Sequence, residues 1–126
     1  VMRGPSPLSW GFRELIAAKT SERNHVSLHK THAAVAAVLL GDSPLTPAEE
    51  ALLAFCAKVN DDCARVNAAD IAALHAVGCS DEAIYDAITV CALFNFYNRW
   101  IDGTGVAEPS DEEAAESGRR IAQHVH

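Results

Sequence analysis

His25, His29 and His32 stand at spacing i, i+4, i+7 in the segment Asn24-His25-Val26-Ser27-Leu28-His29-Lys30-Thr31-His32-Ala33. On one continuous helix of 3.6 residues per turn, their imidazoles fall within an arc of about 60°. Three imidazoles on one face, joined by Glu14 from the preceding helix, could hold a divalent transition metal such as Zn, Cu, Ni or Fe. Two further readings stand beside this one. The histidines could form a solvated polar face, or Glu14 and His32 could work without metal as an acid–base pair. Imidazole titrates near working pH, and a partly buried carboxylate suits proton transfer. The metal reading needs the helix to run unbroken through His25; a cap at that residue would take its ring off the helical register.

A second group lies further along the chain. Asn95, Asn98, Arg99 and Asp102 share one polar side at helical spacing, with Arg99 and Asp102 an i, i+3 pair. They could anchor an anionic ligand, or form a structural network or subunit contact. Trp10, Phe96, Tyr97 and Trp100 could line a pocket or belong to core and interface. His75 reads as a helix-surface residue, and His124 and His126 fall at a terminus. Cys56, Cys63, Cys79 and Cys91 contain no C-x-x-C spacing. Their apolar or helical surroundings predict buried free thiols that behave as small hydrophobes.

The elements that must position these groups are all helical. Ser9 caps a helix from about Trp10 to Glu22, and a second runs from a break near Asn24 to Leu40, closed by Gly41. Its stretch Ala33–Ala37 suits close helix–helix contact. Thr46-Pro47-Ala48-Glu49 combines a capping box with proline at the first helical position, opening a third helix. Asn67 caps a fourth, ended by Gly78. Ser80 opens the longest, to about Ile101, with Ile84, Ile88, Cys91 and Phe94 as its apolar stripe. Pro109-Ser110-Asp111-Glu112-Glu113 opens the last, and its charge order suits the helix dipole. No β-period alternation and no internal repeat interrupts the series. The expectation is an all-α bundle of about six helices.

Size and charge bound the rest. The chain has 126 residues, 49% hydrophobic and 21% charged, with a net charge of −7. At roughly 100–200 residues per domain, that is a single domain over 1–126. The acidic balance argues against a nucleic-acid surface or an anionic membrane, both of which need a basic face. No apolar run approaches the ~18 residues of a membrane span. With no basic segment leading into an apolar one at its start, the chain reads as cytoplasmic.

Two blocks of sequence carry a resemblance. Arg13-Glu14-Leu15-Ile16-Ala17-Ala18, with Ser21, Asn24 and the histidine turn, is the first. Ala92-Leu93-Phe94-Asn95-Phe96-Tyr97-Asn98-Arg99-Trp100-Ile101-Asp102-Gly103-Thr104-Gly105-Val106 is the second. Together they resemble the AhpD-like alkylhydroperoxidases of the carboxymuconolactone decarboxylase superfamily, in particular its peroxidase-related members. The resemblance spans about residues 2–106, leaves 107–126 as a C-terminal helix, and implies a chain short at its N-terminus. It also implies a homo-oligomer, as does a short, largely apolar chain.

The resemblance implies a specific chemistry, and the sequence departs from it. AhpD-like peroxidases carry C-x-x-C-x-x-x-H, with a glutamate on the preceding helix completing a proton relay. One cysteine attacks the peroxide and the other resolves it as a disulfide, which needs a thiolate lowered in pKa. Here His32 falls on the motif histidine and Glu14 on the relay glutamate. Leu28 stands at the second cysteine, and His25 or Val26 at the first. A thiol peroxidase of that type is therefore excluded. Three functions remain open: acid–base or metal-dependent chemistry on a small organic acid or peroxide-derived compound, as in the decarboxylase branch; a non-catalytic binding or scaffold protein; and a peroxidase using two of the four cysteines. The last requires two thiols to meet across helices, which their contexts do not suggest.

Overall fold

The computed structural model describes residues 1–27, 29–105 and 109–124. Six helices follow one another: α1 (Trp10–Arg23), α2 (His29–Leu40), α3 (Pro47–Asp62), α4 (Ala68–Ala76), α5 (Asp81–Thr104) and α6 (Asp111–Gln123), with one 3-10 turn at Cys63–Arg65. Among the described residues there is no strand, so the all-α expectation holds.

The caps start the helices where the sequence places them. Ser9 accepts from the Phe12 N–H, Ser80 from Ala83, and Thr46, Asn67 and Ser110 each complete a capping box with Glu49, Asp70 and Glu113. Each reciprocal box satisfies N–H groups that a helix start otherwise leaves unpaired. At the other end of α5, Gly105 takes the left-handed conformation (φ 69°) that closes the helix with its N–H on the Ile101 carbonyl.

α1 runs through the centre and packs against α2, α3 and α5. Phe12, Ile16 and Ala17 on α1 meet Leu52 and Phe55 of α3 and Ala87, Val90 and Cys91 of α5 in one buried cluster. Small residues set the closest approaches. A Cβ at Gly11 would stand 2.9 Å from Leu40, and one at Gly118 would collide with Ala34. The alanine-rich stretch of α2 is thus used as its composition suggests: α6 lies directly on it, tied at its start by Lys30 to Asp111 at 2.8 Å.

The second helix begins later than expected. α1 ends in a Schellman arrangement, with the His25 N–H on the Glu22 carbonyl (3.1 Å) and the Val26 N–H on the Ser21 carbonyl (3.0 Å). His25 occupies the left-handed position at φ 58°, and Val26, next along, is buried. The chain turns there because burying Val26 while satisfying the last carbonyls of α1 stops the helix. α2 starts only at His29.

Candidate functional site

Glu14 lies on α1, only 3% exposed, within three residues of Phe12, Ile16 and Ala17 in the core. A carboxylate at such depth needs partners on both oxygens. His32 of α2 supplies one: its Nδ1 meets Glu14 Oε2 at 2.5 Å. Arg3, from the segment before α1, supplies the other, its Nη2 3.1 Å from Oε1. The edge-to-face contact between Phe94 of α5 and the imidazole, at 4.6 Å between ring centres, fixes the plane of the ring. Tyr97 packs edge-on against Phe94 in turn. Among the described residues, His32 Nε2 makes no hydrogen bond, so the carboxylate orients the ring and leaves one nitrogen for another partner.

Arg3 is itself held in place. The buried Arg13 guanidinium donates from Nη1 to the carbonyls of Val1 (2.9 Å) and Gly4 (2.8 Å), pinning the leading segment across α1. Burial pulls this guanidinium below its ordinary value, while the Asp86 carboxylate opposes that shift. Asp86 also accepts from the Ser6 hydroxyl. The Arg3 guanidinium lies 5.7 Å over the Trp10 ring, a cation–π distance. Neither Arg3 nor Arg13 stood among the candidate site residues. A lone arginine in an irregular lead-in shows no periodicity that would single it out.

The three-imidazole face expected at His25, His29 and His32 does not form. The left-handed turn places His25 outside α2, and His29 Nδ1 is engaged with the Val26 carbonyl at 2.9 Å. His32 Nδ1 is on Glu14. Among the described residues no group of three His, Cys, Asp or Glu side chains is gathered to hold a metal ion. Leu28, at the family's second cysteine position, lies outside the described residues, as does His126.

Solved structures resemble this fold over most of the chain. An uncharacterized peroxidase-related protein from Silicibacter sp. TM1040 is 30% identical with a TM-score of 0.80, over 90% of this chain and 66% of that one. An alkylhydroperoxidase AhpD core, an uncharacterized peroxidase-related protein from Ralstonia eutropha JMP134, is 27% identical with a TM-score of 0.73, over 94% and 68%. This chain belongs to the AhpD-like superfamily. It spans about two thirds of the length of those two proteins. No family model and no curated protein sequence matches it.

In this AhpD-like chain Asn95, Asn98 and Arg99 belong to a different set of contacts. Asn24 at the end of α1 donates to Asn95 Oδ1 at 3.0 Å and accepts from Asn60 of α3 at 3.0 Å. Asn95 donates to the Cys91 carbonyl at 3.0 Å, and Arg99 adds a contact to Asn95 Oδ1 at 3.2 Å. The Ser21 hydroxyl donates to the buried Asn98 Oδ1 at 2.9 Å. These amides clasp α1 to α3 and α5, matching the structural network that the spacing allowed. Asn98 Nδ2 and Asn60 Oδ1 are buried without a hydrogen-bond partner among the described residues. Arg99 is exposed, away from Glu14, whose guanidinium partner is Arg3.

The thiols of the AhpD-like chain differ from expectation at Cys63, which is exposed, whereas Cys56, Cys79 and Cys91 are buried. Cys56 and Cys91 lie near each other across α3 and α5, each thiol on a backbone carbonyl. Cys91 Sγ lies 3.7 Å from the Cys56 carbonyl oxygen, and Cys56 Sγ 3.8 Å from that of Ala87. Burial, reinforced by Cys91, pushes the Cys56 thiol up to about 12. Burial raises Cys91 as well, against a hydrogen bond from Thr20. Thiols so placed stay protonated and are poor nucleophiles.

Proposed function

We propose that this protein performs thiol-independent acid–base chemistry on a small organic molecule, with His32 moving the proton and Glu14 orienting and charge-balancing its ring. The observation that carries this reading is the 2.5 Å contact between His32 Nδ1 and the buried Glu14 carboxylate, whose other oxygen rests on Arg3. A carboxylate behind an imidazole fixes the tautomer and stabilises the imidazolium formed when Nε2 takes a proton. The absence of cysteine at 25, 26 and 28 supports a reaction without a disulfide step. The exposed Phe96, Tyr97 and Trp100 of α5 support a homo-oligomer, which light scattering would test. A clean monomer of 13.5 kDa removes that part.

The reaction is tested by proton–deuterium exchange, followed by NMR, at carbons next to the carbonyl or carboxyl group in a panel of small organic acids. The parent protein should accelerate exchange of at least one member. His32→Ala and Glu14→Gln should each slow it by about 10²–10⁴-fold. Alkylation of the exposed Cys63 should leave it intact. A His32→Ala protein matching the parent across the panel overturns the reading.

A further inference from the structure

A carboxylate as deep as Glu14 has to be balanced by a nearby cation. Two groups touch it: His32 Nδ1 on Oε2 at 2.5 Å, and Arg3 Nη2 on Oε1 at 3.1 Å. They are not equivalent. An imidazole is charged only when both of its nitrogens carry protons, whereas a guanidinium is always charged. Were His32 the sole partner, balancing Glu14 would keep a proton on Nε2 as well as on Nδ1. A ring so held cannot accept another. With Arg3 in place the carboxylate is balanced while the ring is neutral, so Nδ1–H donates to Oε2 and the Nε2 lone pair is bare. The other charged groups on the surrounding elements have partners of their own. Arg13 of α1 holds the Val1 and Gly4 carbonyls and feels the Asp86 carboxylate of α5. On α2, Lys30 meets Asp111 of α6, and His29 Nδ1 is on the Val26 carbonyl. α5 brings the rings of Phe94 and Tyr97 to this side. On α6, Arg120 and His124 line a hollow with Arg3, and reach the Ser117 hydroxyl and the Arg120 carbonyl.

We propose that Arg3 is a positioning residue of the Glu14/His32 pair: its permanent charge balances Glu14, so that His32 is not held as a counterion and keeps Nε2 free to take up a proton. The inference rests on the acid–base reading above and names the group that keeps its base competent. The fold holds Arg3 to this task. The carbonyls of Val1 and Gly4, on either side of it, are both pinned by the buried Arg13. Met2 packs on the core, Leu8 is buried in it, and the Ser6 hydroxyl donates to Asp86. Trp10 lies 5.7 Å beneath the guanidinium. The Arg3 side chain is 35% exposed against 3% for Glu14, so its charge keeps one side in water while Nη2 reaches inward. The leading segment is therefore part of the site and not a tail.

Nitrogen NMR of the full chain labelled with nitrogen-15 histidine provides the readout, at about pH 8, above the ordinary imidazole range. The His32 signals are assigned by their loss in His32→Ala. The parent should show a protonated Nδ1 and a bare, pyridine-like Nε2. Arg3→Gln keeps an N–H for Oε1 and removes only the charge. The imidazole is more basic than the carboxyl by about two pH units, so it should take up the balancing proton, and Nε2 should carry hydrogen in most molecules. Arg3→Lys should return the parent signature, with helical circular dichroism confirming that both variants fold. Should Arg3→Gln fail to fold, Arg3→Met, which keeps the apolar stem, takes its place. In the exchange assay Arg3→Gln should lower kcat by about tenfold or more with KM within about twofold, and Arg3→Lys should recover most of the rate. A protonated Nε2 in the parent, a bare Nε2 in Arg3→Gln, or no recovery in Arg3→Lys each overturns the proposal. Exchange that depends on His32, with unchanged His32 signals in Arg3→Gln, sinks only the role of Arg3. The expected signals without exchange of any acid in the panel sink only the acid–base reading.

Discussion

Two pairs of reactive side chains are buried between helices of this protein, and they have opposite chemical prospects. Glu14 and His32 join α1 to α2 with the carboxylate charge shared between an imidazole and Arg3. Cys56 and Cys91 join α3 to α5, and each thiol meets a backbone carbonyl oxygen. The depth is similar and the partners differ. A carbonyl oxygen stabilises a thiol as a donor and repels a thiolate, so burial raises Cys56 unopposed and raises Cys91 despite hydrogen bonds from Thr20 and Asn95. Around Glu14 two cationic or protonatable groups face the charge. Position between helices does not make a group reactive; what faces it decides.

Breaking each pair in turn sharpens the contrast. The largest effect is expected from Glu14→Ala, which leaves Arg3 and His32 facing an empty, buried position. Removing one member of a buried charged set costs about 3–5 kcal/mol, readable as a lower midpoint in urea. A loss below about 1 kcal/mol would mean that Glu14 is far more solvated than its 3% exposure implies.

The thiol pair should respond to pH and not to turnover. The Cys56 thiol has an ordinary value of 9.0 that is raised to about 12 in the fold. Below pH 9 it is protonated in both folded and unfolded chains, and its contribution is fully present. Above that pH the unfolded chain loses the proton first, so stability falls as pH rises toward 12. Cys56→Ala should flatten this alkaline slope by up to about 1.4 kcal/mol per pH unit, with exchange activity unaltered. An unchanged slope would show that Cys56 is not buried as the contacts indicate.

The smallest effect is expected at the turn that separates the two readings of the histidines. His25→Gly relieves the left-handed backbone and should stabilise the protein by up to about 1 kcal/mol. It should leave the exchange rate within the error of measurement. A large loss of activity in that variant would return His25 to the site and break the assignment of the chemistry to Glu14 and His32 alone.

Much of this was legible before any coordinates. The capping boxes at Thr46, Asn67 and Ser110 mark helix starts because their signals are local: a side chain and an N–H three residues away. Glu14 and His32 could be singled out as a pair by their match to a relay whose cysteines are missing. A break near Asn24 was legible, but not that it would reach past His25 and start α2 only at His29. Its cause is the burial of Val26, and no local pattern around His25 shows that.

The amino-acid sequence by itself therefore determined the helical class, the helix starts, the loss of the redox cysteines and the two residues that meet in the centre. Tertiary structure alone decided three other things. It set Arg3 on Glu14, it brought Cys56 to Cys91, and it lined one hollow with Arg3, Arg120 and His124. Caps and periodicity act over a few residues and can be read along the chain. These three join residues from eleven to more than a hundred positions apart, and they exist only where packing brings one helix or segment against another.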